Sequence, residues 1–331
     1  MSPTLARVLR PAPHLERHPA QHALLVLVGG VLAFGSLTGV ASAAGFEVVL
    51  DRLRGLDPIW LPVALVAETA AYIGYTLAYR EIARVRDGTE LGLRRAGAMV
   101  AAGFGVFVIR GGFVVDRQAL ESAGAGPREA RIRVLGLGAL EYALLAPATC
   151  GAAIFLLVNG DSRPGWALTL PWAIAVPLGF VGAFVALRFR RRVREDGRSS
   201  PAPRQALDGI DGLRRLAIRP RAPGIALAGA ALYWAGDIAC LWAALSVFGA
   251  SPSVPALLIG YSTGYALTRR TLPLAGAGTV EAFVSFALFW TGTSLAPALL
   301  GVFAYRIFNL WLPLLPAALG LRMLKQLAAE N

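Results

Sequence analysis

Eight ionisable side chains interrupt stretches of chain that are otherwise apolar: Glu68, Arg110, Glu141, Asp237, Arg269, Arg270, Glu281 and Arg306. An ionisable group at the centre of a bilayer costs at least about 2.5 kcal/mol on insertion scales, so such groups face a protein interior or a wet cavity. Both signs are present, and acid–arginine pairs can form. Such pairs either pin helices together or line a polar path for a charged headgroup. Arginine suits a phosphate, because its planar fork binds two oxygens and keeps its charge. Glu281 follows the turn PLAGAG at the start of an apolar helix. A carboxylate there is favoured by the positive end of the helix dipole, and the free N–H groups of a helix start also attract anions. These roles compete, so Glu281 is expected to hold an arginine that meets the headgroup, with Arg306 as its partner. Arg110 and Arg270 are expected to approach the headgroup from two sides. Glu68, Asp237 and Glu141 are candidates for proton coupling.

Other chemistries find little support. The chain has no GxxxxGK[ST], no GxGxxG after a strand, no HExxH and no GxSxG. No DxD or DxxD pair accompanies Asp237 or Glu281, the nearest candidates for an acid or base, so no catalytic residue is assigned. His14, His18 and His22 lack the company of a metal site. Cys150 and Cys240 lie in apolar runs and read as small buried hydrophobes, not a disulfide or metal pair. Neither a metal nor a cofactor is expected. The glycines of segment 88–117 read as close helix contacts instead of a nucleotide loop. Tyr305, Phe308 and Trp311 read as helix packing and interface anchors.

The elements that must position these residues are membrane spans. Only 16% of the residues are charged against 56% hydrophobic, and mean hydropathy is +0.58; a soluble domain carries about 25% charged residues. Apolar runs at 22–45, 58–79, 131–158, 166–187, 222–248 and 297–320 are long enough to cross a hydrocarbon core of about 30 Å as helices. The run at 22–45 reads as a retained first helix, not a cleaved signal. Net charge is +12, nearly all arginine, and Lys325 is the one lysine. This basicity suits cytoplasmic loops facing anionic lipid; no nucleic-acid-binding motif is present. Segment 188–221, with eleven arginines against four acids, must then be cytoplasmic, as must 80–95 with five against three. That sidedness makes 96–116 a hairpin entered from the cytoplasm and 254–294 a pair entered from the outside. The chain divides into a cytoplasmic segment 1–21, a first membrane half 22–187, the linker 188–221, a second half 222–320 and a cytoplasmic tail 321–331. Residues 58–158 and 222–320 read as repeats: Glu68 matches Asp237, Arg110 matches Arg269 or Arg270, Asp116 falls near Glu281, and Glu141 matches Arg306. Opposite entry of the hairpins makes the repeats inverted, as in transporters. The fold expected is an all-α polytopic membrane protein with about six full spans and two re-entrant hairpins.

The stretch PLAGAGTVEAFVSFALFW, with LLGVFAYRIFNLWLPLLPAALGL after it, resembles the closing signature of the lysylphosphatidylglycerol synthetase transmembrane region, a flippase-like family. The matching positions are Pro273, Gly276, Gly278, Glu281, Tyr305, Arg306, Pro313 and Pro316. The first hairpin departs from the family pattern: GFGVFVIRGGFVVD lacks the proline of its Pro-x-x-x-Gly-(Glu/Asp) element. The resemblance implies inverted repeats with re-entrant hairpins and movement of a lipid headgroup between leaflets of a bacterial cytoplasmic membrane. The transferase domain that makes aminoacyl-lipid is not expected here. The leading expectation is a non-enzymatic flippase for an anionic phospholipid or a polyprenyl-phosphate-linked lipid. The alternatives are a membrane-embedded lipid-modifying transferase and a non-transporting envelope scaffold.

Overall fold

A computed structural model describes residues 19–84, 91–102, 112–159, 166–190, 201–217, 222–266, 273–317 and 319. Every regular element among them is helical. Six helices have the length and composition of membrane spans: Ala23–Ala44, Trp60–Ala83, Pro127–Val158, Trp166–Arg188, Pro223–Ser246 and Leu295–Ala317. The shortest, at 22 residues, rises about 33 Å, enough for the hydrocarbon core. They lie within a few residues of the runs expected from sequence. In order, the helices are α1 (Pro19–Ala44), α2 (Phe46–Arg54), α3 (Trp60–Ala83), α4 (Leu93–Ala102), α5 (Gly112–Ser122), α6 (Pro127–Val158), α7 (Trp166–Arg188), α8 (Pro201–Ala217), α9 (Ala222–Ser246), α10 (Val254–Tyr261), α11 (Thr279–Trp290) and α12 (Leu295–Arg306). π-helical turns extend α10 over Ser262–Ala266 and α12 over Ile307–Trp311.

The spans turn apolar side chains outward, as lipid requires. Phe34, Val66, Phe184 and Leu315 are each well exposed. On α7 only Leu168 and Thr169 are buried. α2 turns off α1 at Gly45, whose φ of 89° suits a residue without a Cβ. It exposes Phe46, Val48 and Leu50 beside Glu47, Asp51 and Arg52, the pattern of a helix lying at the membrane–water boundary.

Small residues decide which helices meet. α3 and α9 run antiparallel, and the Asp57 N–H donates to the Val247 carbonyl (2.8 Å) where one begins and the other ends. A Cβ on Gly74 would lie 2.6 Å from the Gly229 carbonyl oxygen, and one on Gly236 would lie 2.6 Å from that of Ala67. Backbones this close need glycine or alanine between them. The first half of α6 holds α8 in the same way, through Gly136 and Gly212, with Arg131–Asp208 (2.8 Å) and Arg215–Glu129 (3.1 Å) beside them. Within the arginine-rich 188–221 segment there is thus an ordered helix packed on a span.

Over the first of the two apolar stretches that the sequence sets apart, α4 and α5 are described on either side of 103–111, which lies outside the described residues. Over the second, α10 and its π-turn precede 267–272, also outside them, and the chain resumes in a tight turn at Pro273–Gly276 before α11. α10 and α11 lie side by side and antiparallel: Gly260 faces Leu288, and a Cβ on Gly264 would lie 2.5 Å from the Val284 nitrogen. At 12 residues, α11 rises about 18 Å, well short of the hydrocarbon core.

Candidate functional site

The turn before α11 is held in an unusual backbone. Leu274 (φ 54°) and Ala275 (φ 49°) are both left-handed, although neither is glycine. Such residues cost of order 1–3 kcal/mol each and persist where surroundings over-determine them. Two interactions do so here. Glu281, in the first turn of α11, accepts the Gly278 N–H at 2.7 Å and caps the helix. Arg306 donates from Nη2 to the Ala275 carbonyl at 3.0 Å.

Arg306 ties this turn to the rest of the protein. Its Nε donates to Glu281 Oε1 at 2.9 Å and its Nη1 to Asn309 Oδ1 at 3.2 Å. Glu281 is 0% exposed and Arg306 is 1% exposed, so the pair lies wholly inside the protein. The Tyr265 ring stands 6.0 Å from the guanidinium carbon. In this conformation three of the five guanidinium N–H groups meet these protein acceptors.

Asn309 links this pair to two further carboxyl groups. Its Nδ2 donates to Asp237 Oδ1 (3.1 Å) and to Glu68 Oε1 (3.3 Å). Its Oδ1 also accepts the Tyr265 hydroxyl (2.9 Å). Tyr261 and Tyr305 donate to the two oxygens of Asp237, at 2.5 and 2.7 Å. Asp237 is fully buried and Glu68 nearly so. Asn309 and Tyr265 both sit in the π-helical turns, a geometry frequent at functional sites.

Four of the residues singled out from sequence therefore converge: Glu68, Asp237, Glu281 and Arg306. Glu141 is buried in α6, and its backbone carbonyl accepts the Trp234 indole N–H at 2.8 Å. Asp116, matched loosely to Glu281, accepts the Tyr75 hydroxyl (2.7 Å) in the first half. Arg110, Arg269 and Arg270 lie outside the described residues. Tyr305, expected among the interface anchors, is instead fully buried with its hydroxyl on Asp237. Asn309, Tyr261 and Tyr265 were not singled out by sequence. The spacing of Tyr305, Arg306 and Asn309, three and four residues apart on one helical face, carried a signal for Asn309.

Two cavities flank the spans. An apolar groove of about 540 Å³ runs between α3, α4 and the end of the last span, with Glu68, Tyr72, Gly97, Phe308 and Pro313 among its walls. A second, of about 520 Å³, lies where α9 and α11 end and α10 and α12 begin; Arg52, Ser253, Thr293 and Ser294 line it. Among the described residues, no group of three or more His, Cys, Asp and Glu side chains is placed to hold a metal ion. Cys150 and Cys240 are buried free thiols.

Six apolar spans around a buried set of carboxyl, guanidinium and tyrosine groups define a multi-pass, all-helical membrane protein. Residues 23–317 match the lysylphosphatidylglycerol synthase TM region, and the chain belongs to that family. No curated protein matches it.

Proposed function

We propose that this protein is a lipid flippase of a bacterial cytoplasmic membrane. It moves an anionic phospholipid or a polyprenyl-phosphate-linked lipid between leaflets without chemically altering it. One observation carries the reading: the buried Glu68–Asp237–Asn309–Arg306–Glu281 cluster is tied to the left-handed turn that precedes α11, a helix too short to cross the membrane. Intramembrane ionisable groups mark substrate and ion pathways by default. Broken helices facing such groups are how transporters bring polar chemistry to mid-membrane.

In this reading α4–α5 and α10–α11 are the two re-entrant hairpins of an inverted repeat. The antiparallel run of α3 and α9, the first helices of the two repeats, supports it. The N-terminus, the 188–221 segment and the C-terminus are cytoplasmic. Acyl chains travel along the apolar groove while the headgroup meets Arg306; Arg110 and Arg270, the other arginines expected from sequence to meet it, lie outside the described residues. Glu281 keeps Arg306 oriented, and Glu141 belongs to the coupling path with Glu68 and Asp237.

The test is lipid movement by purified protein in phosphatidylcholine vesicles containing fluorescent phosphatidylglycerol, read by quenching of outward-facing label. The expected result is transport by the wild type, lost in folded Arg306→Lys, which keeps charge but not the fork. Transport by Arg306→Lys at the wild-type rate removes Arg306 from headgroup binding.

A further inference from the structure

The cavity of about 520 Å³ at the ends of α9 and α11 has walls that fix its depth in the bilayer. Leu156, near the end of α6, is one of them, whereas α8 packs on the start of α6 through Gly136. The rise along α6 from 136 to 156 is about 30 Å, the thickness of the hydrocarbon core. The cavity and α8 therefore lie at opposite faces of the membrane. Its surroundings are apolar. Val254 and Trp290, next in sequence to the wall residues Ser253 and Thr291, are exposed, as are Phe46, Val48 and Leu50 of α2. Exposed aromatic and aliphatic groups at the ends of spans sit at the headgroup level. The cavity thus opens at the depth of lipid phosphates.

The walls themselves are polar and carry one sign of charge. Among the described residues that line the cavity, Arg52 is the one charged group and none is acidic. Its Nη1 lies 3.9 Å from where a Cβ on Gly249, another wall residue, would stand. No described residue makes a hydrogen bond or ion pair with Arg52; its neighbours on α2, Asp51 and Arg54, pair with each other at 3.4 Å. Ser251, Ser253, Thr293 and Ser294 add hydroxyls, and neither Ser253 nor Ser294 spends its own on capping the helix it precedes. Two helices end and two begin here, so their dipoles offset and Arg52 sets the charge of the cavity. A phosphate diester suits such walls. Its two unesterified oxygens accept from a guanidinium fork and from hydroxyls at once.

We propose that this cavity binds the headgroup of an anionic phospholipid in the leaflet opposite α8, with Arg52 on the phosphate and the acyl chains in the bilayer beside α2. Inorganic phosphate offers similar oxygens, but the apolar rim of Val254, Trp290 and α2 has a use only when tails come with the phosphate. The cavity also stands at one end of a path. α11 and α12 both run between it and the Glu281–Arg306 pair. The rise from Thr291 to Glu281 is about 15 Å, and from Ser294 to Arg306 about 18 Å. A headgroup held by Arg52 is thus one step of roughly half a bilayer from Arg306. This role as a station in lipid movement rests on the transport reading; the binding site does not.

The test places a thiol in the wall, Ser253→Cys, in the full chain held in lipid nanodiscs; the native cysteines are buried. The rate of labelling by a neutral maleimide then reports occupancy and needs no transport. Ser251→Cys is the second reporter if the first does not give monodisperse, helical protein. Discs of phosphatidylcholine with phosphatidylglycerol should slow labelling about tenfold relative to phosphatidylcholine alone, the scale of one charge-assisted hydrogen bond. Arg54→Gln, whose side chain is largely exposed, should keep that protection, and Arg52→Gln should lose it. No protection by phosphatidylglycerol, or equal protection in Arg52→Gln, overturns the site. Equal protection by inorganic phosphate added to phosphatidylcholine discs overturns the lipid as its occupant. The second arm is the fluorescent-lipid assay, where Arg52→Gln should slow movement about tenfold, on the same scale. A wild-type rate in Arg52→Gln, with protection lost, overturns the station. No movement by the wild type, with protection as expected, sinks the transport reading and leaves the binding site standing.

Discussion

Glu281 and Arg306 each satisfy a need of the other that neither could meet alone. The carboxylate caps α11 with one oxygen and orients the guanidinium with the second. Removing one partner of a buried ion pair leaves an uncompensated charge, at a cost of about 3–5 kcal/mol. Arg306→Ala is therefore expected to lower the thermal unfolding temperature in detergent sharply. The double variant Glu281→Gln/Arg306→Met should recover much of the loss, because no lone charge remains. A double variant as unstable as Arg306→Ala would place the cost in the hold on Ala275 rather than in the ion pair. This pairing was legible in sequence, because an acid and an arginine inside apolar runs must find partners. Asn309 was not, because a neutral amide gives no charge signal even though it joins three helices. Arg306 also had a partner no sequence rule reveals: the carbonyl of a left-handed alanine.

Among the elements, the turn at Pro273–Gly276 is where local preference loses to tertiary contact. Left-handed Leu274 and Ala275 are strained, whereas Gly276 and Gly278 adopt positive φ freely. Ala275→Gly should relieve part of that strain at a small entropic loss in the unfolded chain, a net gain of up to about 1 kcal/mol. Ala275→Val should cost about 1–3 kcal/mol instead. Thermal unfolding of the two variants side by side checks the sign, and a stabilising valine would show that the turn is not left-handed in the folded protein. The break itself was legible from two arginines, a proline and small residues inside an apolar stretch. Helix α8 was not, because its arginines matched the composition of a solvated connection. What orders it is a glycine contact, Gly136 to Gly212, between residues 76 positions apart.

For the whole molecule, the spans were legible because bilayer thickness fixes helix length, and the six helices lie within a few residues of the expected runs. Which helices touch was harder to read, since small residues occur on many faces and only the fold selects the seam used. Sidedness is tested by cysteine labelling in intact cells. Positions in segment 188–221 are expected to be protected from an impermeant reagent, and a position in 249–253 accessible to it. Labelling only of the former would invert the orientation read from the arginines, and labelling of both would put on one side two segments that a span is expected to separate.

The seam between α3 and α9 has a mechanical consequence. Where backbones touch with no side chain between them, sliding one helix along the other drives the next Cβ into a carbonyl. Tilting about the point of contact avoids that collision. The glycines at 74, 229 and 236 thus make the seam a pivot: one helix can tilt against the other while the two stay in register. Glu68 and Asp237 sit close to that pivot, beside Ala67 and Gly236 in sequence. Groups near an axle move least when the arms swing, so charged groups placed there can stay assembled while the two helices tilt.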